Sequence, residues 1–127
     1  MKRVLVVDDS HVIRRLVEVV LEQIQIEVVA VSNGSEACEV LGRMSPDVVI
    51  LDVGLPDMPG WDVLDFVRCR PDLVGTAVIM LTGRVDADAV DKAIQKGASE
   101  YLLKPFRPAE LRRLVVNAIH GTAHAVR

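Results

Sequence analysis

The sequence predicts a doubly wound α/β fold, a parallel five-stranded sheet with helices on both faces. Short, β-branched apolar runs alternate five times with longer stretches of helical periodicity. Half of the 127 residues are hydrophobic but only 3% are aromatic, so Val, Leu, Ile and Ala must build the core, as a helix-covered parallel sheet requires. Strict strand–helix alternation also implies right-handed crossovers. Five strands joined this way fit the flavodoxin-like order 2-1-3-4-5.

The expected strands are Arg3–Val7, Ile26–Val31, Asp47–Leu51, Ala77–Leu81 and Glu100–Leu103. In the first helix Ile13, Val17, Val20 and Ile24 recur at helical spacing and form the expected core stripe. The second helix runs from Gly34 to Met44, carries Ala37, Leu41 and Met44, and is capped by Asn33-Gly34. The third starts near Gly60 and carries Trp61, Leu64 and Val67. The fourth spans about Asp86 to Lys96, with Val90, Ala93 and Ile94, and Gly97 serves as its C-terminal cap. Pro108 opens the fifth, where a missing N–H leaves no bond unmade, and its stripe is Leu111, Leu114, Val115 and Ala118.

The length suits one domain that folds alone, expected over residues 1–120 with a short tail at 121–127 and no output domain after it. The balance of 15 basic against 18 acidic residues, net −3, lacks the basic footprint of direct nucleic-acid binding. Arg107, Arg112, Arg113 and Arg127 make the C-terminal stretch locally basic, which reads as a solvated helix face. Cys38 and Cys69 have no metal-ligand spacing and suit a reducing compartment. The basic start Met1-Lys2-Arg3 leads into an apolar run, Val4 to Val7, too short for a signal peptide or a membrane span. A cytoplasmic protein without membrane contact is expected.

In a doubly wound sheet, function sits beyond the carboxyl ends of the strands. There the sequence places Asp8-Asp9 after strand one, Asp52 after strand three, Thr82-Gly83 after strand four and Lys104-Pro105 after strand five. Taken singly, each has an ordinary reading: Asp9-Ser10 as a helix cap, Thr82 as a turn hydroxyl, Asp52 as a loop acid. Together they bring three carboxylates, a hydroxyl and a lysine to one rim. Two like charges about 4 Å apart repel by roughly 4 kcal/mol at an effective dielectric of about 20, so a raised pKa or a bound cation must compensate. Magnesium suits one or two carboxylates, retained waters and a phosphate oxygen. Such a set can hold a phosphoryl group in transfer. Asp52, alone at the end of the central strand, is the expected nucleophile, and the adjacent Asp8 and Asp9 are better placed to share a metal.

These residues resemble the receiver domain of two-component response regulators. The stretches that carry the likeness are Val4–Ser10, Pro46–Asp52, Leu55–Gly60, Met80–Gly83, Gly97-Ala98 and Tyr101–Phe106, in order and at the family's spacing, over about Lys2 to His120. The resemblance implies Asp52 as phosphoacceptor, with Asp8, Asp9 and Asp52 holding magnesium, or manganese in its place, aided by the Gly54 backbone carbonyl. It implies Thr82 as the switch hydroxyl, Lys104 as the phosphoryl-binding lysine and Tyr101 as the aromatic switch residue. It also implies a cis peptide at Lys104-Pro105. Without the resemblance Tyr101 reads as a half-buried aromatic and Trp61 as a packing residue. His11, His120 and His124 show no ligand spacing.

The positions two residues after the acceptor and two after the threonine vary in the family; here they are Gly54 and Arg84, candidates for setting the lifetime of the phosphorylated form. The implied partners are a sensor histidine kinase or histidine phosphotransfer protein, and a downstream protein target. Phosphorylation-dependent dimerisation stays open. The competing reading is an interaction module that keeps the fold and never uses phosphorylation. An aspartate-nucleophile phosphatase would carry a DxD motif after strand one, and a flavodoxin a Ser/Thr/Gly-rich phosphate cradle there; Asp8-Asp9 fits neither.

Overall fold

The structure, a computed structural model, describes residues 1–83 and 87–120, with residues 87–89 described by their backbone alone. Strands β1 (Arg3–Val7), β2 (Glu27–Val31), β3 (Val48–Asp52), β4 (Ala77–Thr82) and β5 (Glu100–Leu103) alternate with helices α1 (His11–Glu22), α2 (Gly34–Leu41), α3 (Gly60–Cys69), α4 (Ala87–Gln95) and α5 (Pro108–His120). The sheet is wholly parallel in the order β2-β1-β3-β4-β5, as expected.

Period-two alternation divides the core into two layers. Val4, Val6, Val48, Ile50, Ile79 and Leu81 face α1 and α5, where Val17, Leu21, Leu111 and Val115 meet them. Leu5, Val7, Val49, Leu51, Val78 and Met80 face α2, α3 and α4, against Ala37, Leu41, Val63, Leu64, Val67 and Ala93. The inner strands β1, β3 and β4 are buried on both faces apart from Arg3 at the start of β1, so they read as unbroken apolar runs.

Local signals set the helix ends. The Ser10 hydroxyl accepts from the Ile13 amide at 3.3 Å and caps α1. Asn33 accepts from the Glu36 amide at 2.8 Å, and Glu36 in turn accepts from the Ser32 amide at 3.1 Å, closing a reciprocal cap on α2. Gly97 follows α4 with φ 96, a left-handed conformation that glycine adopts without strain.

Three apolar residues fall outside their expected stripes. Ile24 lies beyond the end of α1 and is 36% exposed; the chain reverses through Gln25 at φ 64, and Leu21 and Ile26 take the buried places. Helix α2 stops at Leu41, with Gly42 as its C-cap, so Met44 is not helical. Ile94 is 64% exposed, because Ala93 turns toward the sheet and its neighbour turns away. Among the described residues, no helix is long and apolar enough to cross a membrane.

Candidate functional site

Strand register brings the expected residues to one rim. Val7 pairs with Leu51, so Asp8 and Asp52 follow side by side on adjacent strands. Asp52 pairs with Leu81, which puts Thr82 one residue further along β4, and Thr82 pairs with Leu103, which puts Lys104 one further again. Asp52 and Asp8 follow the sheet face toward α1 and α5, whereas Thr82 follows the face toward α2, α3 and α4, where Tyr101 packs. The rim thus has an acidic side and a hydroxyl side.

The acidic side is crowded. Asp8 is fully buried and Asp52 is 7% exposed. One carboxylate oxygen from each of Asp8, Asp9 and Asp52 lies within 4.8 Å of the other two. Lys104 Nζ stands 2.8 Å from Asp8 Oδ2 and 3.5 Å from Asp52 Oδ2. The contact with Asp8 is an ion pair rather than an aligned hydrogen bond. Asp8 Oδ1 accepts from the Ser10 amide at 2.8 Å, and Asp52 Oδ1 from the Gly54 amide at 3.2 Å. Burial, and next the Asp8 charge, push the Asp52 carboxyl above its usual range, against the Gly54 amide and Lys104, which pull it down.

Three carboxylates facing one ammonium leave an excess of negative charge, and the exposed Asp9 leaves the cluster open to solvent. That donor set fits a hard divalent cation that keeps part of its water, as magnesium does. Asp8, Asp9 and Asp52 would hold it.

A cleft of about 790 Å³ opens beside Asp52, lined by the loop Val53–Pro59 together with Trp61, Thr82 and Gly83. The loop is fastened at both ends. The Gly60 amide donates to Val53 O at 2.8 Å, and a Cβ on Gly60 would come within 2.2 Å of Asp52 O. Asp57 accepts from the amides of Gly34 (2.8 Å) and Ser35 (2.9 Å) at the start of α2, and these bonds hold its carboxyl below the usual range. Helix α4 and the turn after it are tied to α3: Lys92 lies 5.1 Å over the Trp61 ring, Lys96 pairs with Asp65 at 3.2 Å, and Arg68 donates to Gly97 O at 2.8 Å.

Asp8, Asp9, Asp52, Thr82 and Lys104 therefore converge where the sequence places them. Gly54 stands at the mouth, and among the described residues the space where a side chain would be is open. The Lys104-Pro105 bond is cis. Tyr101 packs against the α2–α4 layer, with its hydroxyl buried and without a hydrogen-bond partner among the described residues. Arg84 lies outside the described residues. Sequence reasoning gave no role to Arg14, whose Nη1 donates to Asp8 O at 2.8 Å, or to Asp57. The loop motif around Asp57 was visible; its tie to α2, 22 and 23 residues away, is a tertiary contact that no local pattern carries.

A family model for the response regulator receiver domain matches residues 4–116. The probable transcriptional regulator ycf27 of Cyanophora paradoxa is 36% identical over 121 residues, covering 95% of this chain and 49% of that protein. The DNA-binding response regulator MtrA of Mycolicibacterium smegmatis is 34% identical over 110 residues, covering 87% of this chain and 47% of that protein. The chain spans about half the length of the curated relatives it matches. Chemotaxis response regulator CheY4 of Vibrio cholerae superposes with a TM-score of 0.88 at 32% identity, covering 93% of this chain and 98% of that one. The receiver domain of sensor histidine kinase PA1611 from Pseudomonas aeruginosa, solved with a magnesium ion in its active-site cleft, gives 0.85 at 27%, covering 94% and 98%. Receivers are signalling modules of two-component systems rather than enzymes in their own right, and they bind magnesium at an acidic cluster. With residues 4–116 matched and the sheet order shared, this chain belongs to the response regulator receiver domain family.

Proposed function

We propose that residues 1–120 act as a phosphorylation switch in which Asp52 accepts a phosphoryl group from the phosphohistidine of a sensor kinase or phosphotransfer protein. The observation that carries this reading is Asp52 itself: nearly buried at the end of the central strand, within 3.5 Å of Lys104, and opening on a cleft also lined by Thr82.

A carboxylate oxygen of Asp52 attacks the phosphorus, an O–P bond forms and the N–P bond breaks. The departing imidazole nitrogen keeps the bonding pair and takes a proton from solvent. Lys104 neutralises phosphoryl oxygens as charge moves toward Asp52. A bound magnesium ion would supply further positive charge at the same oxygens. Hydrolysis reverses the outcome: water attacks phosphorus, inorganic phosphate leaves and the Asp52 carboxylate is restored.

The acyl phosphate dianion then draws the Thr82 hydroxyl and Lys104 toward it. Lys104 moves from Asp8, Thr82 leaves its resting contact, and the space vacated on the α4 face admits the Tyr101 ring. The surface of α4, β5 and α5 is the part a downstream protein reads, through different affinity for the two states. Gly54 leaves the approach to Asp52 open to water, and together with Arg84 it sets the phosphate lifetime. Gly54→Asn and Arg84→Glu should change the hydrolysis rate of phospho-Asp52; rates equal to wild type would remove that assignment.

The deciding experiment is intact mass after incubation with acetyl phosphate or phosphoramidate, with and without magnesium. Wild type should gain one phosphoryl group only with magnesium, and Asp52→Ala none. A folded wild type that gains nothing, from these donors or from a panel of phosphorylated histidine kinases, is a phosphorylation-independent interaction module instead.

A further inference from the structure

Arg14 closes the first turn of α1, half-buried, on the helix that begins one residue, its cap Ser10, after the acidic pair. An arginine beside three carboxylates would ordinarily form a bidentate ion pair with one of them. Arg14 instead gives Nη1 to the backbone oxygen of Asp8, at 2.8 Å. Glu36, the carboxylate on α2 that feels the Arg14 charge, is engaged with the amide and hydroxyl of Ser32. Lys104, not Arg14, is the cation paired with the cluster.

The oxygen that Arg14 holds belongs to the peptide joining Asp8 to Asp9. A peptide is planar and turns as one unit, so a bond to its carbonyl restrains the rotation on both sides and with it the direction in which the Asp9 side chain leaves the backbone. Asp8 has two further restraints, the Ser10 amide and Lys104. Asp9 is exposed, and none of the hydrogen bonds or ion pairs of the described residues involves its carboxylate. Its placement therefore rests on the backbone and on its own side-chain rotamer. We infer that Arg14 is a positioning residue for the divalent-cation site, holding the Asp8–Asp9 peptide so that both carboxylates converge with Asp52 while its own guanidinium occupies none of their oxygens.

The inference rests on the metal-site reading of Asp8, Asp9 and Asp52. Positioning and simple electrostatics predict opposite signs. Removing a positive charge near a cation site should tighten cation binding, whereas releasing the peptide should weaken it. Supporting groups around metal ligands typically change affinity tenfold or more when removed.

The test is titration of the full chain with magnesium chloride, followed by calorimetry and by Trp61 emission, on wild type, Arg14→Met, Arg14→Lys and Arg15→Met. Thermal unfolding without divalent ion checks that each variant is folded, and Arg14→Gln, polar and helix-compatible, replaces Arg14→Met if the latter does not fold. About tenfold weaker binding in Arg14→Met, partial recovery in Arg14→Lys and wild-type affinity in Arg15→Met is the expected result. Unchanged or tighter binding in Arg14→Met, or a lower unfolding temperature with unchanged affinity, overturns the inference alone. A folded wild type that binds no divalent ion overturns the metal-site reading, and the inference with it.

Discussion

The ammonium of Lys104 rests 2.8 Å from the carboxylate of Asp8, a side chain with no exposed surface. Removing one partner of a buried pair leaves the other charged and unmatched, typically at about 3–5 kcal/mol. Lys104 keeps 23% of its side chain exposed, which screens the pair and lowers the expected loss to roughly 2–3 kcal/mol for Lys104→Met. A divalent ion at Asp8, Asp9 and Asp52 supplies the missing charge, so the deficit should shrink in millimolar magnesium. Urea denaturation with and without magnesium measures both; an equal deficit in the two conditions would mean that the lysine acts through packing rather than charge.

The Asp52 carboxyl is raised by burial and by Asp8, so the folded state holds its proton more tightly than the unfolded chain does. Stability contributed by Asp52 is therefore lost as pH rises from the ordinary carboxyl range, near 3.8, through the raised folded value. Asp52→Asn should accordingly be more stable than wild type at pH 7 without divalent ions, and the gap should close as the buffer is taken toward pH 4. Urea midpoints across that range check the sign. A wild type more stable than Asp52→Asn at pH 7 would place Lys104 and the Gly54 amide, not burial, in control of the carboxyl.

Most of this site could be read from the sequence because the sheet converts order along the chain into position in space. Once five alternations fix parallel strands, an acid or hydroxyl directly after each apolar run must reach the carboxyl rim, as Asp8, Asp52, Thr82 and Lys104 do. Helix stripes were less legible at their ends. Ile24 and Met44 keep helical spacing past the residues where Gln25 and Gly42 turn the chain, and Ile94 lies next to Ala93, where spacing alone does not choose between neighbours. The supports of the site were illegible for a different reason. Asp57 and Arg14 act on backbone atoms of other turns, Gly34 and Asp8, and a polar side chain seeking a backbone partner leaves no periodic trace.

Two glycines beside Asp52 look alike in sequence and should behave oppositely. A Cβ at Gly60 would meet backbone atoms, Asp52 O and, at 3.0 Å, Val53 Cα, which cannot move without shifting Asp52. A Cβ at Gly54 would meet no atom of the described residues within 4 Å beyond its own chain neighbours. Gly60→Ala should destabilise by about 1–3 kcal/mol, the range for overpacking, and slow phosphorylation by acetyl phosphate. Gly54→Ala should stay within about 0.5 kcal/mol of wild type. Chemical denaturation and phosphorylation time courses on both variants test the contrast, and equal effects would mean that the loop relaxes freely around Asp52.

Tyr101 offers a test of the switch itself. Its hydroxyl is buried with no hydrogen-bond partner among the described residues. A buried hydroxyl without a partner costs about 1–3 kcal/mol of desolvation that a phenyl ring does not incur. Tyr101→Phe should therefore leave the unphosphorylated protein as stable as wild type or up to about 1 kcal/mol more stable. If the ring changes position on phosphorylation and the hydroxyl gains a partner or water there, the same substitution should disfavour the phosphorylated form. Comparing unfolding midpoints of both variants with and without a phosphoryl analogue such as beryllofluoride separates these effects. A stabilising change in the free form, reversed in the loaded form, ties Tyr101 to the transition; the same change in both forms makes it a packing residue that phosphorylation does not move.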